Sequence, residues 1–217
     1  MDGIDTILFD WDGTLIDTSR YSFIAFQKAL RDLGIEVKPE IYESIYSPSW
    51  YSMYQSLNLP ADQWQQAEDL WIHYYEGESA QLVPEGLHTL NELSRRGYCL
   101  GIVTSGSRPR VQREVSRFCL SDVFRAIVCN EDVVNKKPHP DGLNTAMRRI
   151  GKSPGVCCYV GDSPEDIEMG KRAGVRTVGI LSGYPNSKKI MTADANLCFN
   201  SIHQLLNHFG PLENSIA

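Results

Sequence analysis

From about residue 84 onward, short apolar segments alternate with helical segments of about ten residues. Predicted strands cover 98–104, 126–129, 156–161 and 177–181, and predicted helices cover 110–118, 140–150, 164–173 and 202–209. Strands separated by helices form right-handed βαβ units, so this alternation predicts a parallel sheet. An apolar run at 7–9 adds a strand near the N-terminus. The expected fold class is therefore α/β, with a doubly wound parallel sheet at its core.

Residues 18 to about 80 interrupt the alternation, because they have the pattern of helices without a clear strand. A helix capped by Asp17 or Thr18 runs towards Leu33 and stops at Gly34. Another predicted helix covers 63–75. We therefore expect residues 1–16 and 81–217 to form the sheet domain, and residues 17–80 to form an α-helical insertion after the first strand.

Composition excludes several classes of protein. The formal net charge is −6, which argues against nucleic-acid binding through phosphate neutralisation. There is no run of 18 apolar residues and no basic, apolar leader, so neither a membrane span nor a secretory signal is expected. The six cysteines include no C-x-x-C pair, which disfavours a zinc site, and their number and spacing do not indicate a disulfide framework. The expected location is the reducing cytoplasm.

Polar side chains follow the predicted strands or precede the helices after them. These residues are Asp10, Asp12, Thr104, Lys137, Asp162 and Asp166. Because the carboxyl ends of parallel strands meet at one edge, where α/β sheets bind ligands, we expect the six side chains to converge. Two carboxylates as close as Asp10 and Asp12 indicate a bound cation, a nucleophile with an acid/base partner, or both.

The set suits phosphoryl transfer. An Asp is a known covalent nucleophile for phosphate, a second Asp can shuttle the proton, and Mg²⁺ with a Lys offsets the anionic charge. Each position also has a structural interpretation: Asp12-Gly13 as a turn, 162–164 as a helix cap, and Thr104 as an ordinary residue of a strand end. His139 is interpreted as structural. The joint occurrence of all these residues favours the functional interpretation.

Four motifs occur in order: D-x-D-G-T-L at 10–15, T-S-G at 104–106, K-P-H-P at 137–140 and G-D-S-x-x-D at 161–166. Together they resemble the motifs of the haloacid dehalogenase superfamily, in its branch of phosphoglycolate phosphatases and β-phosphoglucomutases. The resemblance covers residues 5 to about 200. It implies a Rossmann-like core with a small α-helical cap inserted after the first strand.

The resemblance also implies a role for each matching position. Asp10 is then the nucleophile that becomes an aspartyl phosphate, and Asp12 is the general acid/base. Thr104 binds phosphate with backbone N–H groups of Ser105 and Gly106, and Lys137 neutralises charge. The Mg²⁺ ligands implied are Asp10, Asp12 through its backbone carbonyl, and Asp162, while Asp166 is either a further ligand or a residue that supports the ligands from behind. Asp12 argues against the dehalogenases, which lack an acid/base Asp there.

The helical insertion is aromatic and poor in cations. Nine Tyr or Trp residues lie between Tyr42 and Tyr75, and no Lys or Arg occurs from 39 to 94. These rings are expected to build a small helical core; alternatively some, namely Trp50, Tyr51 and Tyr54, line a lid over the site. The loop at 47–51 would bring Trp50 and Tyr51 to the substrate. Arg108 and Arg110 could supply charge from the core, although exposure at a helix start is the favoured interpretation.

The expected function is a Mg²⁺-dependent phosphomonoester hydrolase, similar to phosphoglycolate phosphatase, acting on a small phosphorylated metabolite. Because the insertion has no Lys or Arg from residue 39 onward, a leaving group without a second negative charge is favoured. The alternatives are a phosphomutase similar to β-phosphoglucomutase, a non-enzymatic phospho-acceptor module, and a binding protein with an inactive site. Neither nucleic acid nor membrane is an expected partner, and the protein is expected to be a monomer or a homodimer.

Overall fold

A computed structural model describes residues 3–47, 50–76 and 80–212. The strands are β1 (Thr6–Phe9), β2 (Ile16–Asp17), β3 (Gln81–Leu82), β4 (Cys99–Val103), β5 (Phe124–Val128), β6 (Cys157–Gly161), β7 (Arg176–Ile180) and β8 (Leu197–Phe199). The α-helices are α1 (Ser19–Asp32), α2 (Pro39–Ile45), α3 (Trp50–Ser56), α4 (Trp64–Glu76), α5 (Gly86–Arg95), α6 (Arg108–Arg117), α7 (Asp141–Ile150) and α8 (Pro164–Ala173). Short 3₁₀ helices cover Ala61–Gln63, Asn130–Asp132, Pro154–Val156, Ser187–Thr192 and Ile202–Asn207.

Six strands form one parallel sheet in the order β5-β4-β1-β6-β7-β8. The chain leaves β1 towards one edge and later returns to β6 on the other side, so the winding direction reverses beside β1. A reversal of this kind opens a crevice at the carboxyl ends of the strands. The predicted α/β class with a doubly wound parallel sheet is confirmed.

Alternating side chains of β1 face opposite layers of the core. Ile7 and Phe9 pack with Leu100 and Ile102 on one face, while Leu8 packs on the other face among α7 and α8. Because both faces of the sheet are covered, β1 is buried along its whole length. The polar residues that follow it therefore begin where the buried strand ends.

The four helices α1 to α4 follow β2 and pack around their own apolar cluster. Phe26, Leu30, Tyr42 and Tyr54 are buried there, so the aromatic residues do form a helical core. Helix α1 begins after Thr18 and ends before Gly34, whose φ of 81° suits a residue without a side chain. Thr18 occupies the N-cap position of α1, as predicted, but its side chain makes no capping hydrogen bond, since its hydroxyl lies 2.9 Å from Tyr184 Oη instead.

Several short elements differ from the sequence prediction. The segment predicted as a helix at 202–209 is a 3₁₀ helix, Ile202–Asn207, with Ile202 and Leu205 buried. Strand β8 and the antiparallel pair of β2 and β3 were not predicted. All six cysteines are free. In the described part of the chain, every helix is too short or too polar to cross a membrane.

Candidate active site

The nucleophile candidate Asp10 follows β1 directly and is buried. Its Oδ1 accepts a hydrogen bond of 2.7 Å from Lys137 Nζ, and Lys137 also donates to Asp166 Oδ1 at 2.8 Å. Burial raises the pKa of Asp10 to about 7, against the opposing effect of the Lys137 ammonium. The ammonium therefore joins residues that are distant in sequence at the carboxyl end of the sheet.

Three buried carboxylates meet at this point. Oxygens of Asp10, Asp162 and Asp166 all lie within 4.8 Å of one another. Asp162 Oδ2 accepts a hydrogen bond of 2.5 Å from Ser182, and burial raises the pKa of Asp162 well above its usual range. Three carboxyl groups that share one ammonium can together hold a divalent cation, whose charge would favour their ionised forms.

Helix α8 holds Asp166 through its own N-terminal cap. Ser163 accepts from the Asp166 backbone N–H at 3.2 Å, and Asp166 Oδ2 accepts from the Ser163 N–H at 3.1 Å and from its hydroxyl at 2.7 Å. Pro164 occupies the first turn, where a missing N–H costs nothing. The structural interpretation of 162–164 as a helix cap is therefore confirmed, and the same cap leaves Asp166 Oδ1 to meet Lys137.

Thr104 lies at the end of β4 and is buried. Its Oγ1 accepts a hydrogen bond of 3.0 Å from the Gly106 N–H, which closes the turn 104–106. This bond leaves the hydroxyl hydrogen of Thr104 available as a donor. Thr104, Ser105 and Gly106 line the same cavity as Asp10 and Asp12, so the turn brings a hydroxyl and backbone N–H groups to the carboxylates.

Asp12 forms a two-point ion pair that the sequence analysis did not expect. Arg110 Nη1 lies 2.9 Å from Asp12 Oδ1, and Nη2 lies 2.5 Å from Oδ2. The favoured interpretation of Arg110 as an exposed residue is wrong, since it is 6% exposed. Arg110, Val111, Glu114 and Val115 share the buried face of α6. The spacing of Arg110 and Glu114 beside two valines was the sequence signal for this burial.

Arg108 lies apart from the other predicted site residues. It pairs with Asp132, and it is not among the described residues that line the cavity next to Asp10. Its neighbour Arg110 is among them. Helix geometry explains the difference, because residues two positions apart in a helix face different directions.

The cavity above the carboxylates has a volume of about 480 Å³. Its floor is formed by the predicted site residues of the sheet, and its roof includes Trp50, Tyr51 and Tyr54. The roof also includes Glu68 and Trp71 of α4, which the sequence analysis did not select. Pro48 and Ser49 of the predicted cap loop lie outside the described residues.

Tyr184 also lines the cavity, and the sequence analysis did not select it. Its ring stacks on Tyr46 with centroids 5.1 Å apart, which joins the segment after β7 to the helical segment. The signal was available, since Ser182 and Gly183 follow a predicted strand in the same way as the polar residues of the earlier strand ends.

Comparison with known proteins identifies the family to which a chain with this site belongs. The family model described as haloacid dehalogenase-like hydrolase matches residues 7–180. The chain is 34% identical to the pyrophosphatase PpaX of Bacillus pumilus over 188 residues, which covers 82% of this chain and 83% of that protein. It is 29% identical to the phosphoglycolate phosphatase of Escherichia coli K12 over 231 residues, covering 94% and 92%.

A solved structure agrees with these sequence matches. The crystal structure of a haloacid dehalogenase-like hydrolase from Bacteroides fragilis superposes with a TM-score of 0.85 at 26% identity, covering 94% of this chain and all of that one. The relatives are named as enzymes, which removes the alternatives of a non-enzymatic phospho-acceptor module and of a binding protein with an inactive site.

Proposed function

The chain belongs to the haloacid dehalogenase-like hydrolases and is a phosphatase of that family, and we propose that it hydrolyses phosphomonoesters with Mg²⁺ through an aspartyl phosphate on Asp10. The observation that carries this proposal is the position of Asp10, buried at the end of β1 between Lys137 and two further carboxylates. The helical segment predicted at 17–80 is proposed to act as the cap over the site.

The residues present fit a magnesium ion. Three buried carboxylates share one ammonium, and hard oxygen ligands are those that Mg²⁺ prefers. Asp10 and Asp162 would hold the ion through their carboxylates, and Asp12 through its backbone carbonyl. Asp166 would add its negative charge beside the ion, because its oxygens already accept hydrogen bonds from Lys137, Tyr159 and Ser163. When bound, Mg²⁺ lowers the repulsion between the Asp10 carboxylate and an anionic phosphate.

The chain's own groups account for the proposed steps. An Asp10 oxygen attacks phosphorus while the bond to the leaving oxygen breaks and Asp12 gives that oxygen a proton. Asp12 then takes a proton from a water molecule, which attacks phosphorus and releases phosphate from Asp10. Lys137 balances the charge on the transferred group, and the turn at 104–106 orients it.

The cavity favours a leaving group without a second negative charge. Each lining cation is already engaged: Lys137 by Asp10 and Asp166, Arg110 by Asp12, and Lys136 by backbone carbonyls. Glu68 and Glu131 add carboxylates to the lining. A small metabolite whose leaving group is neutral or aromatic suits this lining better than phosphoglycolate does, although one relative is named phosphoglycolate phosphatase.

A panel of phosphate monoesters, assayed with Mg²⁺ and with EDTA, tests the proposal. We expect Mg²⁺-dependent phosphate release, and an acid-stable phosphoenzyme that hydroxylamine cleaves. Asp10→Asn should abolish both, whereas retained turnover would refute the mechanism. A preference for phosphoglycolate over neutral sugar or nucleoside phosphates would refute the leaving-group claim. Transfer of phosphate to a second substrate position without phosphate release would instead identify a phosphomutase.

A further inference from the structure

Both carboxylate oxygens of Asp12 are bound by one guanidinium. The contacts from Arg110 to Oδ1 and Oδ2 of Asp12 are the 2.9 and 2.5 Å hydrogen bonds of a two-point pair. A carboxylate has about four lone-pair positions, so this pair leaves one on each oxygen free. Asp12 lines the cavity, so it can present those positions to a substrate while its orientation is fixed from behind.

Arg110 is itself held from several sides. Glu114 Oε2 lies 3.2 Å from Arg110 Nη1, and the ring of Tyr75 lies 5.1 Å from the guanidinium carbon. Glu114 in turn accepts from Trp11 Nε1 at 2.7 Å and from Tyr75 Oη at 3.3 Å. These contacts with Glu114 and Tyr75 restrict the rotamers of the long Arg110 side chain, which would otherwise be mobile.

The backbone of the phosphate-binding turn also touches this arginine. A side chain at Gly106 would overlap Arg110 Nη2, so the guanidinium lies directly against the turn. One arginine thus borders both the turn at 104–106 and the Asp12 carboxylate. Its position links the two groups that a phosphoryl-transfer reaction must align.

Arg110 does not have the character of an open anion site. Two carboxylates, Asp12 and Glu114, surround one guanidinium, and the side chain is 7% exposed. A second anionic group of a substrate would have to displace one of these carboxylates. The contacts therefore favour a role in which Arg110 acts on Asp12 and not on the substrate.

We propose that Arg110 is a positioning residue that fixes the orientation of the Asp12 carboxyl group for proton transfer at the leaving oxygen, the proton being the one that Asp12 took from water in the preceding turnover, with Glu114, Tyr75 and Trp11 fixing Arg110. The inference rests on the proposed function, since it concerns the acid/base step of that reaction. Orientation of a general acid matters most when the leaving group is a poor one. It matters little when the leaving oxygen departs without a proton.

The test compares two esters across variants of α6. For Arg110→Gln, kcat/KM should fall about 10–100-fold with the best alkyl phosphate of the panel, and less than about 3-fold with p-nitrophenyl phosphate. Arg113→Gln, the same change at an exposed position of α6, should alter neither value. Added guanidinium should restore part of the alkyl phosphate activity to Arg110→Ala.

The opposing outcomes are distinct. Equal losses with both esters would overturn the inference, because they would indicate damage to the phosphate site. A rise in KM confined to substrates with a second anion would also overturn it, because Arg110 would then bind substrate. If Arg110→Gln does not fold, the same comparison is decided by Arg110→Lys, which keeps the charge but loses the two-point contact. A wild-type protein without phosphatase activity would refute the proposed function itself, and the inference with it.

Discussion

Gly13 lies so close to Asp162 that a methyl group on its Cα would overlap Oδ2 of that carboxylate. The same methyl group would come within 2.9 Å of the Tyr184 ring, and Gly13 has a φ of 79°, in the left-handed region. The turn that carries Asp12 therefore passes directly over a proposed metal ligand. Only a residue without a side chain allows that approach.

Gly13→Ala should consequently disturb the site more than the backbone strain alone explains. A non-glycine residue in the left-handed region costs about 1–2 kcal/mol, and the overlap with Asp162 adds to that cost. We expect the variant to unfold at lower urea concentration and to lose Mg²⁺-dependent phosphatase activity. Urea unfolding and a phosphate-release assay measure the two effects.

Gly151→Ala provides the matched control. Gly151 ends α7 with a φ of 75°, and an added Cβ would meet no atom within 4 Å. Its substitution should cost only the backbone strain and leave activity unchanged. Equal destabilisation and equal activity in the two variants would show that the closeness of Gly13 to Asp162 has no functional importance.

Lys137→Met should destabilise the metal-free protein by about 3–5 kcal/mol, because it leaves two buried carboxylates without their ammonium partner. It should also lower kcat by at least about 100-fold. Lys152→Met removes a pair of the same length, to Asp5, at a position that is only partly buried, and should cost less than about 1 kcal/mol. Urea unfolding in EDTA measures the free energy of unfolding of the two variants, and turnover assays measure their kcat. Similar small losses for both variants would contradict the importance of the buried pair.

Mg²⁺ at 100 times its dissociation constant should raise the melting temperature by about 5–10 °C, since binding to the folded state alone contributes about 2.7 kcal/mol. Asp162→Asn should abolish this response. It should also raise the melting temperature in EDTA, because burial beside Asp10 and Asp166 disfavours the charged form of Asp162, which the amide does not have. Thermal unfolding followed by circular dichroism measures both effects.

Asp122→Asn, at an exposed carboxylate, is the control and should keep the full response to Mg²⁺. An undiminished response in Asp162→Asn would exclude Asp162 from the ion site. This measurement does not depend on knowing a substrate.

The sequence predicted the sheet and its polar edge because both follow from local patterns. A short apolar run such as 7–9, bounded by polar residues, favours a strand buried on both faces, and parallel strands then bring their carboxyl ends together. This reasoning predicts that Asp10, Lys137, Asp162 and Asp166 lie side by side. Their contacts agree with it.

What the sequence did not predict depends on tertiary partners. Arg110 looked like an exposed residue of a helix start, and it is buried only because Asp12 and Glu114 offset its charge. Tyr184 gained its position from Tyr46 and Thr18, which lie far away in the chain. Strands β2 and β3 have two residues each, too few to show an alternating pattern.

Glu68 provides a direct test of which leaving groups the cavity admits. It lies on α4 over the cavity, and burial raises the pKa of its carboxyl, an effect that Asp69 and Glu131 reinforce. A negative charge on a substrate's leaving group would meet like charges there. Glu68→Lys should therefore raise kcat/KM for phosphoglycolate by about tenfold, the equivalent of about 1.4 kcal/mol, and leave neutral esters nearly unchanged.

Asp69→Lys makes the same change of charge at the next residue, which is exposed and is not among the described residues that line the cavity. If Glu68 acts through its position in the cavity, this control should leave the ratio of phosphoglycolate to neutral-ester activity close to that of the wild type. If both variants raise the ratio equally, the effect is a long-range one of net charge, which added salt would screen. A Glu68→Lys protein whose preference does not change would show that the leaving group does not reach α4, and that selectivity arises nearer to the sheet.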